Sequence, residues 1–421
     1  MPSLTIEQRW TWWRETLGSP RYCCAPMVLQ SELAFRMMVR RHGSTLCYSP
    51  MIPVEAFLRL PADGPPVAPS TGGPATQAAY FTTCGADRPL LAQFGGNDAG
   101  QMLAAALLIQ RHVDGVDINL GCPQACACKG GYGAFLMDHP DRVRGIVETL
   151  VAGLDVPVTA KIRVFPEVER TVAFAKMLEA AGVAALAVHG RRREQRMHQG
   201  TVDYDSIAAV KAALSIPVIA NGNVRSKADA DAVLASTGVD CVMSATALLA
   251  NPRLFSCMHA PEAPGGGCMH AEPQQPSLLI RQPALQPKGP TLEERAQMAL
   301  EYLECCKAYP SGALPRMISD HLREILRPDL NLPFNVEERN EIEAHRKTTL
   351  PIQFASLVRR VHAHGREHAR RQREQARGSI SARGSGGDQG GDRGSISARG
   401  SGGDQGGDRS RPETVRVTEI V

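Results

Sequence analysis

The stretch 157–189, PVTAKIRVFPEVERTVAFAKMLEAAGVAALAVH, decides the fold. A short apolar run over 157–163 carrying Lys161 and Arg163 at its end is followed by a helical stretch, 167–181, that stops at Gly182; a second apolar run, 184–189, ends in His189. Strand, crossover helix, parallel strand is the reading. Worked outward, the same unit repeats from about Tyr22 to Phe255, with strands expected at 22–27, 45–51, 89–94, 116–119, 157–163, 184–189, 217–221 and 240–245. A helix over 31–42 ends at Gly43, and another over 99–112 has Asp98 as its cap. Eight such units, with no dinucleotide glycine fingerprint after the first strand, predict a (β/α)8 TIM barrel rather than an open doubly wound sheet.

The barrel is expected over 14–256. Pro/Gly-rich insertions at 61–75 and 261–290 read as loops, the second within a linker over 257–290. Thr291 and Glu294 then form a capping-box pattern, and Leu292, Ala296, Ala299, Leu300 and Leu303 share one helical face. Further helices over 316–326, 336–347 (capped by Asn335) and 353–364 make 291–365 a smaller all-α domain. Beyond it, in 366–421, come a basic arm and a low-complexity tail in which 378–393 recurs letter for letter as 394–409. Across the end of the helical domain and the arm, Arg359, Arg360, Arg366, Arg370, Arg371, Arg373 and Arg377 stand against Glu367 and Glu374.

Length and charge narrow the function. A chain of 421 residues has room for an enzyme core, and a net charge of +4 is too small by itself to imply nucleic acid, so the placement of charge decides. No run of about 20 apolar residues could cross a bilayer. The start, Met1 to Trp13, lacks a secretory pattern, so the 12 cysteines are read as reduced thiols in a cytoplasmic setting, with a nuclear one left open. Cys122, Cys126 and Cys128 fit neither paired zinc spacing nor an iron–sulfur run, and no metal is expected.

In a barrel of this kind reactive groups stand at the C-terminal strand ends. Those ends carry Ala25-Pro26-Met27, Gln93, Asn119-Leu120-Gly121-Cys122-Pro123, Lys161-Ile162-Arg163, His189-Gly190-Arg191, Asn221-Gly222-Asn223 and Ser244-Ala245-Thr246. The seventh and eighth ends are the usual phosphate site. A phosphate there, with Gln93, Lys161 and His189 around the mouth, suits flavin mononucleotide (FMN), the cation facing the ring's N1/C2=O edge.

Asn119-Leu120-Gly121-Cys122-Pro123-Gln124, followed by 129–136 (KGGYGAFL), resembles the signature of the tRNA-dihydrouridine synthases. The segments 161–167 (KIRVFPE), 188–191 (VHGR) and 220–223 (ANGN) are similar to the eukaryotic 16/17 branch of that family. The resemblance covers roughly Arg21 to Phe255. It implies FMN as cofactor, NADPH as reductant, tRNA as substrate and a helical RNA-binding domain.

Carried over by position, the resemblance implies FMN contacts at Ala25, Pro26, Met27, Gln93, Lys161, His189, Asn221, Gly222, Asn223, Ala245 and Thr246, with Asn119 and Arg191 at the uracil or flavin edge. Arg191, Arg192, Arg193 and Arg196 are expected to meet phosphates or the flipped nucleotide. Cys122 is expected to be the general acid that protonates C5 after hydride delivery to C6, since a free thiol is mostly protonated at neutral pH. The family carries a glycine soon after the Ser244-Ala245 position, where this chain has Thr246-Ala247-Leu248. Two other readings stay open: a flavin barrel acting on a free pyrimidine, of dihydroorotate type, and a tRNA-binding protein without redox activity.

Overall fold

The computed structural model describes residues 3–60, 77, 80–195, 200–256, 289–310, 315–345 and 351–384. The chain divides into two compact units, Met1–His368 and Ala369–Val421. The described part of the second unit continues the helix Pro351–Gly384. Both Pro/Gly-rich insertions lie mainly outside the described residues, as do Arg196 and most of the repeated tail.

Among the described residues, nine parallel strands run in chain order as β1 (Tyr22–Cys24), β2 (Leu46–Tyr48), β3 (Ile52–Pro53), β4 (Leu90–Gly95), β5 (Gly115–Leu120), β6 (Val158–Arg163), β7 (Leu186–His189), β8 (Val218–Asn221) and β9 (Cys241–Ser244). β1 pairs with both β2 and β9, and β2 pairs with β4, so eight strands close into a barrel. β3, two residues paired only to the end of β4, is an addition that the sequence pattern does not announce.

Strand alternation separates two cores. Val116, Ile118 and Leu120 of β5, Val158, Ala160 and Ile162 of β6, and Leu186 and Val188 of β7 pack outward against the helices. Their neighbours point into the barrel. The lower interior is apolar, filled by Cys23, Leu46, Tyr48, Leu91, Ala187, Ile219, Cys241 and Met243 together with Trp12 and Trp13. Those two indoles come from a segment to which the sequence reading assigns no element: the helix Ile6–Thr11, capped by a Thr5/Gln8 box, which continues as a π-helical turn, Trp12–Thr16. Hydrogen bonds from Arg9 to the Glu179 and Val183 carbonyls (2.9 and 3.0 Å) and from Trp12 to the Asp114 carbonyl (2.9 Å) fasten it across the N-terminal ends of the strands. The upper interior is polar, and the site stands there.

Buried ions fix the first helix of the barrel, Leu33–Arg41. Arg36, wholly buried, donates to Asp87 at 2.6 and 2.9 Å and to the carbonyls of Ser31 and Thr82, and Arg40 meets the other Asp87 oxygen at 3.0 Å. Glu32, at the head of that helix, does not cap it. Its carboxylate accepts from Tyr302 Oη (2.7 Å) and sits 2.9 Å from His321 Nε2, both from the helical region that follows the barrel. Burial opposes the charge on Glu32, yet His321 and the Tyr302 hydroxyl hold its carboxyl below the usual range.

The helices after the linker run Leu292–Ala308, Pro315–Ile325, Arg327–Leu330, Val336–Ala344 and Pro351–Gly384. The Thr291/Glu294 capping box is formed, and Ala296, Ala299 and Leu303 are buried as the helical face requires. Asn335 differs from expectation: its side chain does not cap the helix but donates to the Asp329 carbonyl (3.0 Å) and faces His364 (3.1 Å).

Replacing Asp87 by Ala strands the Arg36 charge in the core. The expected loss is about 3–5 kcal/mol of folding stability, read as a lowered denaturant midpoint; an unchanged midpoint would contradict the assignment of Asp87 as the partner that Arg36 requires.

Candidate active site

The inward positions of β4 to β8 supply the chemistry: Gln93, Asp117, Asn119, Thr159, Lys161, Arg163, His189 and Asn221. Their bonds interlock. Gln93 Nε2 donates to Asp117 Oδ2 (2.8 Å), Thr159 Oγ1 donates to Asp117 Oδ1 (2.7 Å), and Asn119 Nδ2 donates to Gln93 Oε1 (2.9 Å). Asn119 Oδ1 accepts the backbone N–H groups of Gly121 (3.0 Å) and Cys122 (2.9 Å), which turns the chain over the barrel mouth. Gly133 completes that turn: its φ is +66°, and a Cβ there would stand 2.6 Å from the Cys122 carbonyl oxygen, which the Ala134 N–H approaches at 3.0 Å. Arg163 Nε donates to the Gly121 carbonyl (2.6 Å) and its Nη1 to the Arg192 carbonyl (3.0 Å), joining this loop to the next.

Cys122 is half-buried, and burial pushes its thiol up from the ordinary range, so it is protonated at neutral pH. Lys161 donates to Asn221 Oδ1 (2.9 Å), and Asn221 Nδ2 to the Met243 carbonyl (3.0 Å). Burial and the neighbouring Arg163 bring Lys161 down to about 8, against the pull of Asp117. Burial lifts Asp117 to about 6, opposed by Gln93, Thr159 and Lys161. At pH 7 the pair is therefore mostly ionised.

His189 is pushed well below the ordinary histidine range by burial and by the Lys161, Arg163 and Arg191 charges. Its Nε2 lies 3.3 Å from Arg191 Nη1. A guanidinium can only donate, so Nε2 accepts and Nδ1 carries the proton. Arg191 Nη2 donates to Asn223 Oδ1 (2.6 Å), while its buried Nε has no hydrogen-bond partner among the described residues.

These groups open on a cavity of about 850 Å³ lined by His189, Arg191, Asn221 to Lys227 and Ser244 to Ala247, with Arg253, Arg295, Met298 and Ile325 opposite. Gly222 (φ +127°) lets the backbone form its wall: a Cβ there would meet Val202 at 2.9 Å. Glycine backbone, the unpaired Arg191 N–H and the adjoining Arg225 and Arg253 make an anion cradle, and this donor set fits a phosphate-bearing cofactor such as FMN.

The sequence-selected residues do not all converge on that cradle. His189, Arg191, Asn221, Gly222, Asn223, Ala245 and Thr246 line the cavity, and Thr246 is exposed. Gln93, Asn119 and Cys122 form the linked group beside it, and Lys161 bonds Asn221 of the lining. Ala25 is buried with its N–H on the Ser244 carbonyl (3.0 Å), while Pro26 and Met27 are half-buried and Met27 N–H is held by Ser31 Oγ (3.0 Å). Arg192 is exposed; Arg193 is already paired with Asp138 and lies over the Phe135 ring, 5.2 Å from its centre.

Asp117 and Thr159 are missing from the sequence-based set although Val116-Asp117-Ile118-Asn119 alternates, so that Asp117 shares the inner face with Asn119. The helical wall of the cavity carries no strand-end signal. Cys126 and Cys128 are exposed, and among the described residues no cluster of His, Cys, Asp or Glu is arranged to hold a metal ion. Nor is any described helix long and apolar enough to cross a membrane.

The site thus joins an anion cradle to a protonated thiol on one mouth of a closed parallel barrel. The chain belongs to the dihydrouridine synthase family: the model described as "Dihydrouridine synthase (Dus)" matches residues 23–275. It is 44% identical over 256 residues to a Rattus norvegicus protein named tRNA-dihydrouridine(16/17) synthase [NAD(P)(+)]-like, covering 61% of this chain and 55% of that one. A Schizosaccharomyces pombe tRNA-dihydrouridine(16/17) synthase [NAD(P)(+)] is 41% identical over 327 residues, 77% of this chain and 73% of its own. A Homo sapiens tRNA-dihydrouridine(20a/20b) synthase [NAD(P)+]-like is 42% identical over 236 residues, 55% of this chain and 70% of its own. The match spans about half the length of the rat and mouse relatives.

Because its folded-state pKa is depressed, His189 is expected to stay neutral, with the proton on Nδ1, from about pH 8 down through about pH 6. Nitrogen-15 NMR of the imidazole checks this; a ring that gains a proton near the ordinary value of about 6.5 would contradict the electrostatics described.

Proposed function

We propose that this chain reduces the C5=C6 bond of D-loop uridines in tRNA to 5,6-dihydrouridine, with FMN as cofactor and NADPH as reductant. The observation that carries the reading is Cys122, a free thiol kept protonated on a loop pinned by Asn119 beside the anion cradle. Family membership and the relatives' names support it. FMN, reduced by NADPH, would supply the hydride to C6.

His189, Arg191 and the 221–223 backbone would hold the phosphate of FMN, with Ala245, Thr246 and the Lys161 cation as further contacts. Thr246-Ala247-Leu248 stands where the family carries a glycine soon after Ser244-Ala245, and the Thr246 side chain is exposed. Ala25, Pro26 and Met27, which follow β1, would supply further contacts to FMN.

As hydride reaches C6, the pair of electrons from the double bond passes to C5 and onto the C4 carbonyl, and Cys122 gives its proton to C5. The thiolate left behind regains a proton from solvent. Lys161, charged below about pH 8, offsets negative charge as it develops. In this reading Asn119 orients Cys122 through Oδ1, and one of its two Nδ2 hydrogens goes to Gln93. The base must leave its stack, at lower cost in a loop than in a duplex. Arg192 and the exposed Arg359 and Arg366 are phosphate contacts in this reading; Arg360 is paired with Glu341. Cytoplasm or nucleus is the compartment proposed for this reaction.

Cys122→Ala is expected to retain bound flavin and its bleaching by NADPH while dihydrouridine formation falls by about 10²–10⁴-fold, measured by stopped-flow absorbance and by nucleoside analysis of tRNA. Cys126→Ala is expected to be near wild type. A protein that takes up no FMN would contradict the cofactor assignment, and an inactive Cys126 variant would move the acid.

Glutamine at Arg359, Arg366 and Arg370 is expected to weaken tRNA binding and to flatten the dependence of log affinity on log salt by roughly 0.7 for each phosphate that is no longer neutralised. Deleting 385–421 is expected to change neither, since its repeats nearly balance Asp388, Asp392, Asp404 and Asp408 against Arg393, Arg399 and Arg409. An unchanged slope in the arginine variant would exclude the arm from phosphate binding.

A further inference from the structure

Asp117 touches neither the cavity nor the Cys122 loop, yet the direction of every bond between them ends on it. The backbone N–H groups of Gly121 and Cys122 can only donate, so Asn119 must present Oδ1 to them. Its Nδ2 then faces Gln93, which must present Oε1; the Gln93 Nε2 in turn faces residue 117, which must accept. If the Gln93 amide turned over, two N–H groups would meet at Asn119, and an Asn119 that followed would set its own N–H groups against those of the loop. A buried polar group without its partner costs the full penalty of its desolvation, so one misplaced amide unfastens the chain of bonds together.

We infer that Asp117 is a positioning residue that, as the terminal acceptor of the Gln93–Asn119 chain, fixes the amide orientations that hold the Cys122 loop over the barrel mouth. This rests on the proposed role of Cys122 but acts one step behind it. What position 117 supplies is an acceptor aimed at Gln93, rather than a charge aimed at Lys161. Thr159 makes the two separable. Its hydroxyl lies 2.7 Å from Asp117 Oδ1 and 3.4 Å from the Val116 carbonyl, so it can accept from an amide at position 117 and send its own proton to Val116. Asn at 117 therefore keeps an oxygen on Gln93, and Leu at 117 does not.

The test compares Asp117→Asn with Asp117→Leu in the full chain. Alkylation of Cys122 by iodoacetamide is followed by peptide mass spectrometry across pH, with the exposed Cys126 and Cys128 as internal references. In wild type the half-buried Cys122, its thiol pushed up by burial, is expected to react slowly and with a raised midpoint. Asp117→Leu is expected to speed Cys122 alkylation at least about tenfold at about pH 8 and lower its midpoint, as release of loop bonds of this kind allows, with Cys126 and Cys128 unchanged and dihydrouridine formation reduced at least about tenfold. Asp117→Asn is expected to restore the wild-type midpoint and to lose less than about threefold in activity.

An Asp117→Asn variant as damaged as Asp117→Leu would overturn the inference in favour of charge. Wild-type Cys122 reactivity in Asp117→Leu would overturn it outright. Should that variant not fold, Gln93→Met, which breaks the middle of the chain and leaves Asp117 in place, is expected to give the same change in Cys122; no change there would overturn the inference equally. The thiol measurement does not depend on turnover, so a wild-type protein that made no dihydrouridine would count against the proposed function alone.

Discussion

Two residue pairs, Cys47 against Leu90 and Tyr48 against Leu91, close the sheet. Without them the nine strands would form an open ribbon with β2 and β4 as distant strands; with them, eight strands enclose an interior into which every second side chain points. A closed interior has to be filled. Near the strand starts the filling is apolar and is completed by Trp12 and Trp13 from the N-terminal helix. Near the strand ends water and ligands have access, and polar side chains can stand there only when bonded to one another. The site is the part of the barrel interior that hydrophobic packing does not occupy.

That arrangement concentrates cations. Beyond burial, Lys161, Arg163 and Arg191 all depress His189 and Arg163 depresses Lys161, whereas the buried Asp117 carboxylate offsets Lys161 alone. Mutual repulsion among positive groups costs stability in the ligand-free protein. The same field favours any anion that enters the cradle, and Gly222 lets the backbone add its own polar groups there. Cys122 lies at the margin: Arg163 and Lys161 draw its pKa down, but burial prevails and the proton stays.

How much of this is legible in the residues follows from what kind of signal each part leaves. The barrel strands are short apolar runs at regular spacing, and all eight expected ones are found, with boundaries shifted by a few residues. Strand ends are easy to locate, so His189, Asn221 and Cys122 stand out as polar residues at the mouth. Asp117 is harder: a single acid inside a strand reads as an exposed edge until the closure is known, and only its two-residue offset from Asn119 shows which way it faces. The N-terminal helix leaves no local signal of its place because its partners, Asp114 and Val183, are more than a hundred residues away. Arg193 reads as one of a basic group, and nothing local shows that Asp138 takes it.

The contact of Glu32 with Tyr302 and His321 has a consequence for synthesis. Glu32 lies in the first βα unit, whereas its partners lie 270 and 289 residues later in the chain. Every barrel strand therefore leaves the ribosome while the head of the first barrel helix still lacks the groups that bond the Glu32 carboxyl, and the apolar face around Phe35 lacks the Tyr302 and His321 rings that cover it. A ring of strands completed at that stage is an unfinished object with an exposed, sticky shoulder. Covering that shoulder requires the helices beyond the linker, so the contacts that complete the barrel's first helix become available only once residues 302 and 321 have been translated.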